Sequence, residues 1–381
     1  MRSAVALGAT GFALIAVTYG MARFSWGLMM PSVASDIPFS PAIAGIIAAS
    51  SYLSYCLSTS AASLLTRRFG ARMTAIAAAL CAATGLGLLA CAASPAMLAV
   101  SLFIAGLSAG LASPALAAAV SLSVTGRHQT LVNTVINAGT SAGIILCVPV
   151  IFLLAGSWRL ACEVFAALAL LCLLPTLRYL PACRQQAPQQ NQGSWRGMMR
   201  CRMVTRLAFI AFISGIASAA WWSFGPDILR HYAGLSKQTT SMLWLVSGGA
   251  GILGALTGPL AAFISLRQVY RLSQLCMATP LLLLALMPHF SWWLFPAVAL
   301  GGAGYVTLSG VLLVCGAAST PASPASGVGV AFFMFAAGQI GGSLAFGQFY
   351  AAAGALPALS AFAALALLMM LVVPPDDTLT A

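Results

Sequence analysis

The chain has 381 residues, 61% of them hydrophobic and 6% charged, where an ordinary water-soluble domain carries about a quarter charged residues. That leaves too little polar side chain to cover a soluble fold of this size, so lipid must solvate most of it. The formal charge of +12 comes from 17 basic residues against 5 acids, and the basic residues are scattered rather than gathered, which argues against a nucleic-acid-binding patch.

A helix needs about 20 mainly apolar residues to cross the hydrocarbon layer, and helices satisfy the backbone of an apolar chain there. Charges and Pro/Ser/Gly clusters divide the sequence into twelve predicted spans, at roughly 5–30, 42–65, 73–93, 96–120, 130–155, 159–180, 204–228, 239–263, 269–288, 292–316, 326–352 and 356–374. The expected fold class is an all-α polytopic membrane protein. A single arginine and then a long apolar run predict a retained first span rather than a removed signal peptide.

Span 1 contains the stretch TYGMARFSWGLMMP, residues 18–31, with Arg23 deep inside it; the nearest charged positions are Arg2 and Asp36. A charge at the centre of a membrane helix costs about 2.5–3.5 kcal/mol on insertion scales, so Arg23 needs a partner or a task. No acid lies within reach along its own helix, where Tyr19, Trp26 and Met30 share its face. Two readings stand open. The guanidinium stacks on Tyr19 or Trp26 and bonds carbonyls of a neighbouring span, or it anchors an anionic substrate group through its planar fork. Asp36, just past the span, suits a helix cap or a gate.

Span 2 carries Tyr52 and Tyr55, and the following loop carries Arg67, Arg68 and Arg72. On span 5, Asn133 and Asn137 share a face at i,i+4, and the run Gly139-Thr140-Ser141-Ala142-Gly143 predicts close packing through small residues. Arg159 and Glu163 on span 6, also four apart, read as an ion pair. Span 7 holds Trp221 and Trp222, then Asp227 and Arg230 three apart, which read as a second pair. Tyr305 on span 10 and Gln339 on span 11 complete the candidate cavity residues. His128, His231 and His289 fall near loops, giving no buried relay. The 10 cysteines show no C-x-x-C spacing and read as small apolar fillers, so no disulfide, metal or cofactor site is expected.

Between spans 6 and 7 lies the one sizeable polar connection, residues 181–203, rich in Gln and Arg. It predicts three parts: a six-helix bundle over 1–180, a linker over 181–203 with a short amphipathic helix in its second part, and a second six-helix bundle over 204–381. Arg2, the 67–72 cluster, Arg127, the run from Arg178 to Arg206, Arg267 and Arg271 fall on one side of the membrane; Arg159, Arg230 and Lys237 fall on the other. The positive-inside rule then puts both termini and the linker in the cytoplasm. The halves also resemble each other. FAALALL at 165–171 recurs at 362–368, AGTSAG at 138–143 aligns with AGQIGG at 337–342, and Pro31 with Ser40-Pro41 aligns with Pro226 and Ser236-Lys237. In both halves the serine reads as the N-cap of the next span. A parallel six-span repeat of this kind suits a transporter.

On these residues the sequence resembles the major facilitator superfamily over nearly its whole length. The family's loop signature G-x-x-x-D-R-x-G-R-R is echoed by Ser63 to Arg72, keeping Arg68-Phe69-Gly70-Ala71-Arg72 but carrying Arg67 at the aspartate position. In the second half Gly258-Pro259-Leu260-Ala261 and Arg267 survive, with Ala262 where the acid belongs. Both departures put the family's carboxylate latch in doubt. GMARFSWGLMMP resembles the first span of the YbfB/YjiJ-type bacterial branch. The resemblance implies twelve helices in two pseudo-symmetric six-helix bundles, with span 1 facing a central cavity.

The leading functional expectation is a secondary transporter of a small organic anion in the bacterial inner membrane, a symporter or antiporter working by alternating access. Arg23, Tyr19, Trp26, Tyr52, Tyr55, Asn133, Asn137, Trp221, Trp222, Tyr305 and Gln339 are the expected substrate contacts. Asp36, Glu163, Asp227, Arg67, Arg68 and Arg72 are the expected coupling or gating residues. The alternative is a multidrug exporter for lipophilic compounds, against which stand Arg23 and Ile144, the residue following Gly143 where the drug-antiporter motif wants proline. A transporter-like sensor is a third class. No nucleophile–base constellation or phosphate loop points to an enzyme. The expected partners are the small-molecule substrate, H+ or a counter-substrate, and the bilayer, with the protein a monomer.

Overall fold

The computed structural model describes residues 2–125, 127–154, 157–182, 201–320 and 324–374. Most of the linker, including the expected amphipathic helix, lies outside the described residues.

The described residues form twelve helical passes in chain order and contain no strand. Pass α1 covers 2–36, built of Arg2–Ile15, a π-helical stretch Ala16–Phe24, and Ser25–Asp36. Then come α2 (Pro41–Phe69), α3 (Ala71–Ala90), α4 (Pro95–Ser123), α5 (Arg127–Leu153) and α6 (Trp158–Tyr179). The second six are α7 (Arg202–Tyr232), α8 (237–264), α9 (Leu266–Leu286), α10 (Leu294–Ser319), α11 (Pro324–Ala353) and α12 (Ala355–Met369). The chain divides into two compact units, Met1–Ala187 and Pro188–Ala381.

Local sequence explains where the helices begin. Ser40 and Ser94 each cap a helix that opens on proline, their hydroxyls accepting from Ile43 N at 3.4 Å and Met97 N at 3.3 Å; proline at the first position has no N–H to leave orphaned. Ser157, Ser236 and Ser265 cap α6, α8 and α9 in the same way. The turn into α3 passes through Gly70 at φ 88°, and the turn into α9 passes through Ser265 at φ 78°. Only glycine takes that conformation without strain.

Two passes depart from the sequence expectation. Among the described residues, 10 helices are long and apolar enough to cross a membrane, and α8 and α12 are not among them. The span predicted at 239–263 is interrupted: Lys237–Ala250 gives way to a 3₁₀ stretch, Gly251–Leu256, before Thr257–Ile264 resumes. Gly248, Gly249, Gly251 and Gly254 crowd this region, and glycine is a poor helix former. The last span, predicted at 356–374, ends its helix at Met369.

Helix pairing is the same inside each unit. In the first, α1 packs on α5, α2 on α4, and α3 on α4 and α6; in the second, α7 packs on α11, α8 on α10, and α9 on α10 and α12. Glycines set these approaches. A Cβ on Gly139 would collide with the carbonyl oxygen of Phe12, and one on Gly143 with that of Ala16. In the second unit, a Cβ on Gly338 would collide with the carbonyl oxygen of Phe212, and one on Gly342 would lie 2.5 Å from that of Ile216. Likewise Gly106 lies against the Ser51 carbonyl and Gly302 against that of Ser247. Small residues let backbones approach where lipid supplies no hydrophobic drive for helices to associate. The AGTSAG and AGQIGG runs are these contact points, which explains why they align.

Candidate substrate site

In the first unit, Arg23 sits in the π-helical stretch of α1 and is 8% exposed. Its guanidinium carbon lies 4.2 Å from the ring centre of Tyr55, 5.1 Å from Tyr52, 5.3 Å from Phe24 and 5.9 Å from Tyr19. Tyr19 and Tyr55 meet edge to face at 6.1 Å, and the Ser113 hydroxyl on α4 donates to the Tyr19 hydroxyl at 3.1 Å. Helices α1 and α2 thus gather three of the sequence-predicted residues, Tyr19, Tyr52 and Tyr55, around the predicted cation. Rings within about 6 Å attract a guanidinium through their negative faces. A π turn is wider than an α turn and recurs at functional sites.

Trp26 has a different setting. It stacks on Phe39 with ring centres 6.4 Å apart, and its buried indole N–H meets no acceptor among the described residues. Asn133 is half-buried and Asn137 exposed, because α5 turns Val132, Ile136, Gly139 and Gly143 toward α1 instead.

The second unit gathers Trp222, Tyr305 and Gln339. Trp222 lies 4.8 Å from Tyr305 and 5.4 Å from Trp244, centre to centre. Tyr305 packs on Phe335 at 5.6 Å. Gln339, wholly buried, donates to the Tyr305 hydroxyl at 3.3 Å and to the Ser218 hydroxyl at 3.4 Å. Trp221 points its indole N–H to the Ser247 hydroxyl at 3.0 Å. Sequence reasoning missed Trp244, Ser218 and Phe335 here, as it missed Phe24 and Ser113 in the first unit. Helical spacing was the available signal for two of them: Ser218 lies four residues before Trp222, and Phe335 four before Gln339.

The predicted ion pairs are not the ones formed. Arg159 gives Nη1–H bonds to the carbonyls of Ala90 (2.9 Å) and Ala92 (2.8 Å) and lies over the Trp158 ring at 4.1 Å, while Glu163 is exposed. The C-terminal end of α3 offers orphan carbonyls that attract a cation, and they outcompete a solvated carboxylate. Asp227 takes His231, at 2.8 Å, in place of Arg230. Asp36 accepts from the Trp158 indole at 2.7 Å, tying the end of α1 to the start of α6. Of the loop arginines, Arg67 is exposed, Arg68 lies over Phe69, and Arg72 donates to the Leu180 carbonyl at 2.7 Å. Arg271 makes the equivalent bond in the second unit, to the Met370 carbonyl at 3.2 Å. The described cysteines are free thiols, and the described residues hold no group of three metal-ligating side chains.

A family model described as Major Facilitator Superfamily matches residues 12–344, which is most of the chain. The chain belongs to the Major Facilitator Superfamily. Solved transporters share its architecture. This superfamily member superimposes on the nucleoside transporter NupG with a TM-score of 0.79 at 17% identity, covering 97% of this chain and 98% of that one. It superimposes on a D-xylose-proton symporter with a TM-score of 0.78 at 13% identity, covering 97% and 96%. The E. coli xylose transporter XylE, in a partially occluded inward-open state, gives 0.74 at 12%, covering 97% and 98%. At such identities the likeness is one of fold. No curated protein matches the sequence. The chain is accordingly a multi-pass membrane transporter.

Proposed function

We propose that this transporter carries a small organic anion, a carboxylate, across the bacterial inner membrane by alternating access, with both termini in the cytoplasm. Arg23 carries the reading. It stays charged at any physiological pH, it is buried at mid-helix, and the rings around it hold its planar fork in place. Binding energy from such a group is specific for a planar anion. Trp26, whose buried indole N–H meets no acceptor among the described residues, is proposed as a further contact. Trp222, Tyr305 and Gln339 are proposed as contacts from the second unit. The distribution of basic residues supports the orientation, and the resemblance of the first helix supports membership of the YbfB/YjiJ-type branch.

Coupling to H+ is proposed by analogy with the D-xylose-proton symporter, with Asp36 and Asp227 as the acids that gate or couple transport; exchange needs neither. The aromatic walls of both units also suit lipophilic drugs, but a fixed guanidinium repels the cationic ones. The deciding experiment is uptake of radiolabelled carboxylates into proteoliposomes by wild type, Arg23→Lys and Arg23→Ala, each checked for an unchanged melting temperature. Uptake by wild type that disappears in Arg23→Ala supports the anchor. Unchanged transport in that variant overturns it, and a drug-resistance profile without anion uptake favours the exporter.

A further inference from the structure

We propose that the body of the anion is a planar aromatic ring, so that the substrate class is an aromatic carboxylate; this rests on the anion reading of Arg23 and adds a discrimination that reading does not require. The surroundings of the guanidinium offer ring faces and edges. Tyr52 and Tyr55 lie one turn apart on α2, 5.1 and 4.2 Å from it, with Tyr19 and Phe24 completing the ring from α1.

Several nearby hydroxyls donate within their own helices: Thr18 to the Leu14 carbonyl at 2.8 Å, Ser25 to that of Met21, Ser54 to that of Ser51 at 3.0 Å and Ser58 to that of Tyr55 at 3.2 Å. The Tyr19 hydroxyl accepts from Ser113. An aromatic carboxylate makes use of the rings. Its carboxylate lies coplanar with the ring, so the plane that meets the guanidinium fork sets the ring against the tyrosines. Offset or edge-to-face contacts then reward an aromatic body and give a saturated ring of the same size nothing beyond burial.

The test uses the purified full chain and three probes of nearly equal size: benzoate, cyclohexanecarboxylate and the neutral benzamide. Affinity is read from the ligand-dependent rise in melting temperature, since a ligand that binds the folded state stabilises it. Benzoate should bind about ten-fold more tightly than cyclohexanecarboxylate, a ratio set by ring contacts. Tyr55→Phe should keep that ratio and Tyr55→Leu should collapse it. Equal affinities for the two carboxylates overturn the aromatic proposal and leave the anion reading standing. An equal loss of both carboxylates in Tyr55→Leu assigns the ring to holding Arg23 alone and also overturns the proposal. Benzamide matching benzoate, or no binding by either carboxylate, overturns the anion reading and this proposal with it.

Discussion

The first unit surrounds a guanidinium on α1 with rings, whereas the second packs Trp222 of α7 against Trp244 of α8 and Tyr305 of α10. On the second helix of each unit the difference is one of side-chain bulk. The contact of Ser51 with Gly106 and that of Ser247 with Gly302 set an offset of 196, which places Gly248 opposite Tyr52 and Gly251 opposite Tyr55. One unit therefore supplies its rings from α2 around a charge on α1. The other supplies bulk from α7 and carries glycine at those two positions of α8, with Trp244 packed on the indoles one turn earlier. The frames match because glycines hold the backbones at the same spacings. The fillings differ because a buried cation needs π faces around it, whereas a neutral indole needs room. The glycines that make the room also weaken α8, where the helix tightens into its 3₁₀ stretch.

The comparison can be broken most severely by moving the charge. Trp222→Arg places a guanidinium beside two rings, Trp244 and Tyr305, in place of the four around Arg23; a buried charge without full compensation costs about 3–5 kcal/mol. Loss of monodisperse protein on size-exclusion chromatography is the expected result, and a stable variant would show that a full surround of rings is not what a buried guanidinium needs. Next, Gly139→Val and Gly338→Val should each destabilise by about 1–3 kcal/mol or more through overpacking. Their melting temperatures should fall by similar amounts, and a large drop in one alone would mean that the two glycine contacts are not equivalent.

Gln339→Leu sharpens the contrast within the second unit. Its loss removes the amide donor from the Tyr305 and Ser218 hydroxyls, at a cost of about 1–3 kcal/mol, again read from the melting temperature. Ser265→Gly acts in the opposite direction. Relief of the positive φ is worth about 1–3 kcal/mol, of which losing the serine cap takes back a few tenths, so the variant should melt higher than wild type, while Gly70→Ser should melt lower. The smallest effect is expected for Gly341→Ala. Nothing lies within 4 Å of a Cβ there, and the better helix propensity of alanine should raise the melting temperature slightly, by about 0.5–1 kcal/mol of stability.

Much of the molecule was legible one residue at a time. Ser40 and Ser236 announce helix starts because capping is local. Arg23 stands out because hydropathy is summed along the chain. Where the reading failed, the competition ran between helices. Arg159 and Glu163 have ideal spacing for a pair, yet the carbonyls that take Arg159 belong to Ala90 and Ala92, about 70 residues away in the chain. Asp227 chose His231 over Arg230 within a stretch whose π geometry changes which residues share a face. Trp26 was expected beside Arg23 and stacks on Phe39 instead.

By itself, then, the sequence determined that the chain lives in lipid, how many passes it makes, and that one arginine is committed to the interior of its first helix. Those properties follow from length, apolarity and the cost of a charge in hydrocarbon, all of which are additive along a chain. Tertiary structure decided which rings surround that arginine, which carbonyls take Arg72 and Arg159, and which backbones meet at Gly139 and Gly338. Such contacts depend on how each helix is rotated and shifted against its neighbours, and a rotation of one residue, about 100° in an α-helix, exchanges one set of partners for another.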